Sequence, residues 1–293
     1  MQCSRADLLS GRFHMGCAVW GHGGWLGPVY PERTSQRAQL GEYCRRFTAV
    51  EGNALFYGMP SPATVERWAT TMPEGFLLLP KLPRTLSHDA PLAEGLQQRD
   101  RWLERLAVLG NRLGPAFLQL PPSYGPERRD DLLAFLADWP STAPRLCVEL
   151  RHLGWFDGAV AQPLFSELAQ LNVGRVILDT RPLFAFGDNP QSGNPRKKPR
   201  LPVPTLPPAQ HVMLRFVGHP DRQRNEPWLL RWAELIEGWL TEGRDVFVFC
   251  HCPVEDHSPF LVRRLQQLLE QRGAPVPALP WDSLDEPRQA DLF

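Results

Sequence analysis

Three carboxylic acids each stand directly after a short apolar segment: Glu51, Glu149 and Asp179. Two carboxylates can divide the roles of acid and base when their surroundings separate their pKa values, and they can also bind a divalent cation. Asp179 has Arg181 two residues further on, which on a strand points to the same side. We therefore predict these three carboxylates as catalytic residues. The alternative is that each is neutralised within the fold by an internal ion pair.

Four basic residues follow the same kind of segment, namely Lys81, Arg151, Arg181 and Arg215. Arginine binds phosphate or carboxylate through two parallel hydrogen bonds, whereas lysine acts as a point charge. Four cations against three carboxylates predict an anionic substrate, with Lys81 among the catalytic residues and the arginines among the binding residues. The alternative is charge balance, in which these cations only neutralise the acids.

Three histidines are candidates for acid–base work or metal binding: His88 as a catalytic residue, His152 and His251 as binding residues. His251 lies between Cys250 and Cys252. Adjacent residues on a strand point to opposite faces, so these three do not easily bind one ion. No two histidines stand one helical turn apart as a tight metal motif would require. The sequence therefore identifies no cofactor, and a divalent metal is an alternative.

Aromatic and amide side chains occur at the same segment ends. Trp20 and His22 lie in a glycine-rich loop, where a ligand can approach the backbone and an aromatic ring can stack on a base or a sugar. They could equally close the mouth of the fold. Asn53, Tyr57 and Gln119 complete the predicted substrate-binding residues. The loop lacks the spacing of a Rossmann or phosphate-loop motif, and the chain has no nucleophile elbow.

The elements that must position these residues alternate along the chain. Eight apolar segments are typical of buried strands: Gly16–Trp20, Ala49-Val50, Phe76–Leu79, Phe117-Leu118, Cys147-Val148, Val176–Leu178, Val212–Leu214 and Val246–Phe249. Helix-like stretches separate most of them: Ser35–Phe47, Pro62–Thr71, Leu92–Leu109, Glu127–Asp138, Gly158–Leu171, Pro227–Thr241 and Ser258–Gln271. This alternation predicts a single-domain α/β fold, a TIM-type (β/α)8 barrel. The carboxyl ends of its strands would bring the polar residues above into one pocket.

Three regions lie outside the regular alternation. We predict an N-terminal extension over residues 1–13, the barrel over 14–272 and an extended tail over 273–293. After the sixth strand, Phe186–Gln210 is rich in Pro, Gly and Asn and is predicted as an irregular insert. Its basic run consists of Arg196, Lys197, Lys198 and Arg200. At the rim of the pocket, this run would either contact phosphates or form a solvated loop.

The last five residues, Gln289-Ala290-Asp291-Leu292-Phe293, are similar to the short peptide by which bacterial replication and repair proteins dock on the sliding clamp. Leu292 and Phe293 would enter an apolar pocket of the clamp, and Gln289 would form hydrogen bonds. The second position is Ala where that peptide has Leu, which weakens the match. The alternative is a tail that folds back on its own domain.

Composition restricts the class of protein. The 293 residues carry zero formal net charge, so any contact with a polyanion must come from a local patch. No apolar run approaches the length of a transmembrane helix. The start, Met1–His14, lacks the apolar core of a secretory signal, and the six cysteines are scattered. We therefore expect a cytoplasmic protein with reduced thiols and no membrane partner.

Several motifs together resemble the YecE-like family, the domain of unknown function numbered seventy-two. In chain order they are Val50–Asn53 with Phe56-Tyr57 and Pro60, Trp68 with Pro73–Phe76, Lys81–Arg84 with Ser87-His88, Leu113–Pro115 with Leu118–Pro122, Val148–His152 with Trp155, and Arg215–Gly218. Arg175–Pro182 and the basic insert resemble the YecE branch. The resemblance implies a TIM-type barrel, distantly similar to endonuclease IV and xylose isomerase, and implies no established reaction. Many members have Asn-Asn and His-Gly where this chain has Cys250–Cys252 and Val217-Gly218.

Three functions fit these observations. The first is an enzyme that acts on an anionic, phosphate-bearing substrate, with nucleic acid in DNA maintenance as one such substrate and the sliding clamp as a partner. The second is an enzyme for a small sugar-like or carboxylate metabolite that uses Glu51 and Glu149 as acid and base. The third is a binding module without catalysis. No spacing of residues selects hydrolysis, isomerisation or lyase chemistry.

Overall fold

The strands of the molecule overlap the predicted apolar segments, although the first strand begins at Phe13, three residues before its predicted segment, and ends at Cys17. A computed structural model of the protein describes residues 11–89, 91–188, 190–191 and 197–285. Within this part of the chain there are eight β-strands: β1 Phe13–Cys17, β2 Ala49–Gly52, β3 Leu77–Pro80, β4 Ala116–Gln119, β5 Leu146–Glu149, β6 Gly174–Asp179, β7 His211–Val217 and β8 Asp245–His251. Each of them overlaps one of the eight predicted segments. All of their pairings are parallel.

Two sheets are formed from these strands. Six strands pair in the order β1-β8-β7-β6-β5-β4, and the sheet is curled, while β2 pairs with β3 separately. Main-chain hydrogen bonds link the smaller sheet to both edges of the larger one. Thr48 N donates to Met15 O at 3.2 Å on one side, and Leu82 N donates to Phe117 O at 3.0 Å on the other. The prediction of an α/β fold built on parallel strands is confirmed.

Helices connect most of the strands. The α-helices are α1 Gln39–Cys44, α2 Ala54–Tyr57, α3 Pro62–Thr71, α4 Arg84–Ser87, α5 Leu96–Leu106, α6 Arg129–Ala137, α7 Gly158–Gln170, α8 Glu226–Thr241, α9 Ser258–Gln271 and α10 Asp282–Asp285. Short 3-10 helices cover Gly23–Trp25, Leu92–Gly95, Ala107–Arg112, Pro126–Arg128, Leu153–Phe156, Arg181–Leu183, Arg222–Asn225 and Glu255–His257. Helix α3 has the predicted bounds, because Ser61 Oγ accepts from Thr64 N and Pro62 occupies the first turn.

The end of α7 differs from the prediction. The helix was predicted to end at Leu171 and ends at Gln170, and Asn172, rather than the nearby glycine, takes the left-handed backbone conformation, with φ of 49°. Gly174 instead begins β6. A Cβ at Gly174 would lie 2.6 Å from Cys147 Sγ, so this position needs glycine for close packing between strands.

The concave face of the sheets carries two layers of side chains. The lower layer is apolar and consists of Ala49, Leu79, Phe117, Cys147, Val176, Met213, Phe247 and Phe249. Residues two positions further along a strand point to the same face. These residues form the upper layer, which consists of Glu51, Lys81, Gln119, Glu149, Leu178, Arg215 and His251. The sequence thus places a polar layer directly on an apolar floor, at the carboxyl ends of the strands.

The segment between β6 and β7 has little regular structure. Only the 3-10 helix Arg181–Leu183 occurs among its described residues, as predicted for an irregular insert. The insert is tied back to the strands, since Thr180 Oγ1 donates to Pro199 O at 2.8 Å and Lys198 N donates to Gln191 Oε1 at 2.6 Å. In the predicted tail, Trp281 is buried against Phe47. Among the described residues, no helix combines the length and apolarity needed to span a bilayer.

Candidate functional site

A cavity of about 760 Å³ opens at the carboxyl ends of the strands. Its floor is the polar layer, because Lys81, Gln119, Arg215 and His251 all line it. Its walls come from the loops that follow the strands. They include Asn53, Phe56, Tyr57, Arg84, His88, Arg151, Lys197, Lys198, Cys252 and Glu255. The structure therefore brings together most of the residues that the sequence predicts for the site.

Arg215 occupies the centre of the floor and is only 1% exposed. Its Nε and Nη2 donate to the two oxygens of Glu51 at 2.8 and 2.7 Å, and its Nη1 donates to Glu149 Oε2 at 2.5 Å. One guanidinium thus bridges the two carboxylates. Glu51 also accepts from Asn53 Nδ2 at 2.5 Å and from His251 Nε2 at 3.1 Å. The geometry matches the alternative of internal ion pairs for Glu51 and Glu149.

These contacts fix the charge of both acids. Burial acts to raise the pKa of Glu51, but Arg215 and His251 outweigh it and hold this pKa well below its ordinary value. Burial likewise opposes Arg215 and Arg151 at Glu149, whose pKa falls to about 2. Burial lowers the pKa of His251 to about 4, so its ring is neutral at pH 7. Both carboxylates are therefore ionised at neutral pH, and their surroundings do not separate an acid from a base.

Gln119 links Lys81 to Arg151 on the floor of the cavity. Its Oε1 accepts from Lys81 Nζ at 2.8 Å and from Arg151 Nη2 at 2.7 Å. Arg151 Nε also donates to Glu149 Oε1 at 2.6 Å. Lys81 is 6% exposed, and its Nζ lies 3.9 Å from the centre of the Phe56 ring. Burial, and then the charge of Arg215, lowers the pKa of Lys81 to about 7.

The charges around the cavity do not cancel. Glu51 and Glu149 are balanced by Arg215 and Arg151 through the hydrogen bonds above. Lys81 forms no ion pair with a carboxylate among the described residues; its acceptor is a neutral amide. Lys198 reaches the same cavity, where burial and then Arg215 lower its pKa to about 8. The cavity therefore has an excess of positive charge near neutral pH.

Asp179 and Arg181 lie away from the cavity. The Asp179 side chain is on the opposite face of β6 from Leu178, where it accepts from Trp232 Nε1 at 2.7 Å. Arg181 Nε and Nη2 donate to the two Asp179 oxygens, each at 2.9 Å. The guanidinium of Arg181 also lies over the ring of Trp228, 4.7 Å from its centre. This pair points to the same side, as predicted, but it joins the sheet to α8.

Of the other predicted residues, His88 and Tyr57 line the cavity, whereas His152 does not. His88 lines the cavity beside Phe56, and burial, then Lys81, lowers its pKa to about 4. Tyr57 is at the rim and 62% exposed. His152 instead accepts from Gly154 N at the start of a 3-10 helix.

Trp20 and His22 do not line the main cavity. Trp20 packs edge-on against Trp68 beside a separate hollow of about 230 Å³ that reaches Glu51. His22 pairs with Asp256 at 2.5 Å.

The basic run is only partly at the cavity. Lys197 and Lys198 line it, whereas Arg200 lies over Phe184, 5.9 Å from the ring centre. Arg196 and the predicted clamp-binding residues Gln289, Leu292 and Phe293 fall outside the described residues.

Two ionisable residues that line the cavity, Glu255 and Arg84, were not predicted as site residues. Glu255 follows β8 by four residues, and its Oε1 is buried without a hydrogen-bond partner among the described residues. Burial raises the pKa of Glu255 to about 8, so this carboxyl group holds a proton at pH 7. Arg84 lines the opposite wall and pairs with Asp89 at 3.4 Å. The signal for both was their place in loops that follow strands, which in this type of fold reach the site.

The described His, Cys, Asp and Glu side chains are not arranged as the ligands of a metal ion. In the part of the chain that the structure describes, no group of three or more His, Cys, Asp and Glu side chains is arranged to hold a metal ion. The carboxylate oxygens on the floor already accept from guanidinium groups. Cys250 packs on the outer face of β8, while His251 and Cys252 face the cavity, so the three are not on one side.

Comparison with known proteins identifies the family. The model of a family described as "Protein of unknown function DUF72" matches residues 14–284. The UPF0759 protein YecE of Escherichia coli K12 is 32% identical over 277 residues, which cover 92% of this chain and 98% of that protein. The chain therefore belongs to the DUF72 family, and the resemblance seen in its sequence motifs is confirmed.

Solved structures share the fold. A DUF72 family protein from Thermotoga maritima superposes with a TM-score of 0.68 at 19% identity, over 88% of this chain and 99% of that one. A DUF72 family protein from Enterococcus faecalis V583 gives a TM-score of 0.67 at 16% identity, over 88% and 94% of the two chains. At these identities the likeness concerns the fold alone.

Proposed function

We propose that this DUF72 protein binds a small anionic molecule in the cavity at the carboxyl ends of its strands and acts on it as an enzyme. The observation that carries this proposal is the uncompensated charge of Lys81. Its ammonium is buried with an amide and an aromatic ring as neighbours, while Arg215 and Arg151 already satisfy the two floor carboxylates. A bound anion would supply the partner that Lys81 lacks among the described residues.

The chemistry of the walls favours a phosphate or a carboxylate. Arg151 and Arg84 contribute guanidinium groups to the lining of the cavity, and Lys197 and Lys198 contribute amines. A volume of about 760 Å³ is the size of ordinary small-molecule sites. The cationic groups line a concave cavity rather than an open surface, which favours a small substrate over a nucleic acid.

We assign different roles to the polar groups. Lys81, Arg151 and Lys198 bind the anion, assisted by Gln119 and Asn53. Glu51 and Glu149 hold Arg215 and Arg151 in place, because the oxygens of both carboxylates accept hydrogen bonds from these two guanidinium groups. Glu255 is the candidate proton donor, because its carboxyl group faces the cavity without an ion-pair partner among the described residues.

We also propose that the strands close into the predicted (β/α)8 barrel. The hydrogen bonds from Thr48 to Met15 and from Leu82 to Phe117 support closure, because each bridges an edge of the six-stranded sheet to the smaller sheet. The predicted domain limits, the clamp-binding peptide and a nucleic-acid substrate stay predictions. A cytoplasmic location is supported by the described cysteines, all of which are free thiols.

Thermal unfolding in the presence of anions tests the proposed function. Inorganic phosphate, oxalate and citrate are compared with chloride at equal ionic strength, and fluorescence anisotropy with a single-stranded oligonucleotide tests the nucleic-acid alternative. We expect at least one small anion to raise Tm. Lys81→Met should weaken its apparent affinity by about tenfold to a hundredfold, since a charge-assisted hydrogen bond contributes ~1.5–3 kcal/mol.

Arg67→Met is the matched control, because Arg67 is an exposed residue of α3 that does not line the cavity. The control should bind anions as the wild type does. Equal stabilisation by chloride and by every other anion, or an unchanged response in Lys81→Met, would refute an anion site at Lys81.

A further inference from the structure

Lysine has an unusual distribution in this chain. Only three of the 32 basic residues are lysines, namely Lys81, Lys197 and Lys198, and every other one is arginine. All three lysines line the same cavity. If the cavity needed only positive charge, arginine would serve there as it does elsewhere in the protein. An amine differs from a guanidinium in one chemical respect, because it can lose its proton near neutral pH and then act as a nucleophile.

Lys81 is the lysine whose amine is buried and held in a fixed orientation by its neighbours. It directly follows β3, where the main-chain bridge to Phe117 fixes its backbone. Its side chain is buried, its Nζ is oriented by the hydrogen bond to Gln119, and the ring of Phe56 covers it. The neighbouring charges have both signs, namely the cations Arg215 and Arg151 and the acids Glu149 and Glu51, but the acids form their hydrogen bonds with the arginines rather than with Lys81.

Burial, and after it the charge of Arg215, lowers the pKa of Lys81 to about 7, while Glu149 and Glu51 act to raise it. The neutral amine is therefore well populated at pH 7, whereas an ordinary exposed lysine is almost fully protonated there. Lys197 is exposed, and Lys198 is half-buried with a smaller shift in its pKa. Lys81 is thus both the least exposed of the three lysines and the one that is most often neutral.

We propose that Lys81 is a nucleophile that forms an imine with an aldehyde or ketone whose anionic group is bound by Arg151 and Lys198. This inference rests on the proposed function, since it takes the same cavity as the site of an anionic ligand. It adds the class of substrate: a small carbonyl compound with a carboxylate or phosphate group. It also explains why an amine, rather than a guanidinium, stands at the base of the cavity.

The step balances without an oxidant or a metal. The lone pair of the neutral Lys81 amine attacks the carbonyl carbon and forms a C–N bond, while the π electrons move to the oxygen. A proton then passes from the positively charged nitrogen to this oxygen, which restores the nitrogen lone pair. The resulting carbinolamine loses this oxygen as water after a second protonation, and the nitrogen lone pair forms the C=N bond. The product is a protonated imine, with one water released. Glu255, which faces the same cavity and holds a proton at neutral pH, is a suitable donor for the loss of water.

Reductive trapping tests the proposal. Full-length protein is incubated with glyoxylate, a small anionic aldehyde, and sodium cyanoborohydride at pH 7, and the adduct is located by intact mass and peptide mapping. We expect one adduct, at Lys81. Arg67→Lys provides a reference amine on the exposed face of α3, and this amine should stay unmodified over the time in which Lys81 reacts.

Two variants separate the amine from its charge. Lys81→Arg keeps the positive charge but cannot form an imine, so it should lose the adduct and keep the stabilisation by phosphate or oxalate. Lys81→Met should lose the adduct and weaken the stabilisation by phosphate or oxalate. Peptide mapping of the wild type needs no variant, so the proposal can be tested even if both variants unfold.

The outcomes distinguish this inference from the proposed function. Stabilisation by phosphate without an adduct at Lys81, or labelling that spreads evenly over Lys197, Lys198 and the reference amine, would overturn the imine and leave the anion site. An adduct at Lys81 without stabilisation by any anion would support the imine and refute the anion site. The absence of both would overturn both.

Discussion

Replacing Arg215 by methionine tests the arrangement on which the whole floor depends. In the wild type, the guanidinium donates to Glu51 and Glu149 at distances of 2.5 to 2.8 Å, and all three side chains are almost fully buried. Methionine has a similar length and no charge. Arg215→Met would therefore leave Glu51 with no cation at its oxygens, while Glu149 would keep only Arg151.

The expected loss of stability is large. Removing one partner of a buried ion pair costs about 3–5 kcal/mol, because the remaining charge is buried without compensation. The pKa of Glu149 points in the same direction, since burial acts to raise it but Arg215, Arg151 and Lys81 together lower it from 4.5 to about 2. A shift of that size corresponds to about 3 kcal/mol of stabilisation of the folded state. We expect Arg215→Met to lower the free energy of unfolding at pH 7 by about 4 kcal/mol.

The pH dependence should change sign. In the wild type, the depressed pKa values of both acids stabilise the fold above about pH 4.5, and this stability is lost as the pH falls toward 2. Without Arg215, burial dominates and raises the pKa of Glu51 above its unfolded value. The folded variant then binds more protons than the unfolded chain, so acidification from pH 7 to pH 5 should stabilise it.

Urea unfolding at pH 7, 6 and 5 measures both effects. Arg231→Met is a matched control, because Arg231 pairs with Glu234 on the exposed face of α8 and such pairs contribute under about 1 kcal/mol. A loss of less than about 1 kcal/mol in Arg215→Met, or an unchanged dependence of stability on pH between 7 and 5, would show that Glu51 and Glu149 do not depend on Arg215 for their charge.

Three further predictions concern other parts of the molecule. Anion affinity should fall as the pH rises from 6 to 9, because Lys81 and Lys198 lose their protons with pKa values of about 7 and 8; titration calorimetry at each pH would detect this, and a constant affinity would contradict it. Asp179→Asn should destabilise the fold by about 1–3 kcal/mol, since Trp232 and Arg181 lose a charged acceptor, while anion affinity stays unchanged; reduced anion affinity at full stability would instead favour the predicted catalytic role. Trp281→Ala should cost about 3–5 kcal/mol in urea unfolding, because Trp281 is buried and packs edge-on against Phe47; a neutral effect would mean that this part of the chain does not pack on the core.

The sequence predicted the strands and the polar layer because both depend on a period of two. Glu51 and Glu149 each stand two residues after an inward apolar residue, Ala49 and Cys147, so the same face carries both layers. Helix α3 was predictable to the residue because its signals are local ones, a capping serine followed by a proline.

The position of Asp179 on the outer face of β6 could not be inferred from the sequence. Every residue of β6 is buried, because both faces of a parallel strand are covered, so Val176, Ile177 and Leu178 carry no alternation that reveals which face is concave. The orientation of Asp179 is set by pairing with β7 and by Trp232 of α8, more than fifty residues away. Glu255 was missed for a related reason, since its burial depends on tertiary packing that no local sequence pattern reveals.

The paired charges on the floor have a consequence for chemistry as well as for stability. A buried ion-pair network is often no more stable than apolar side chains of the same volume, so the need to fill this layer does not explain Glu51, Arg215 and Glu149. The network does provide a fixed cation, Arg215, beside Lys81. The charge of Arg215 is compensated by Glu51 and Glu149, which accept hydrogen bonds from the guanidinium and not from the Lys81 amine. If the acids faced Lys81 directly, they would keep it protonated. The arrangement therefore keeps a lysine near its neutral form in a cavity that still attracts anions, which is the combination that imine chemistry on a charged carbonyl compound requires.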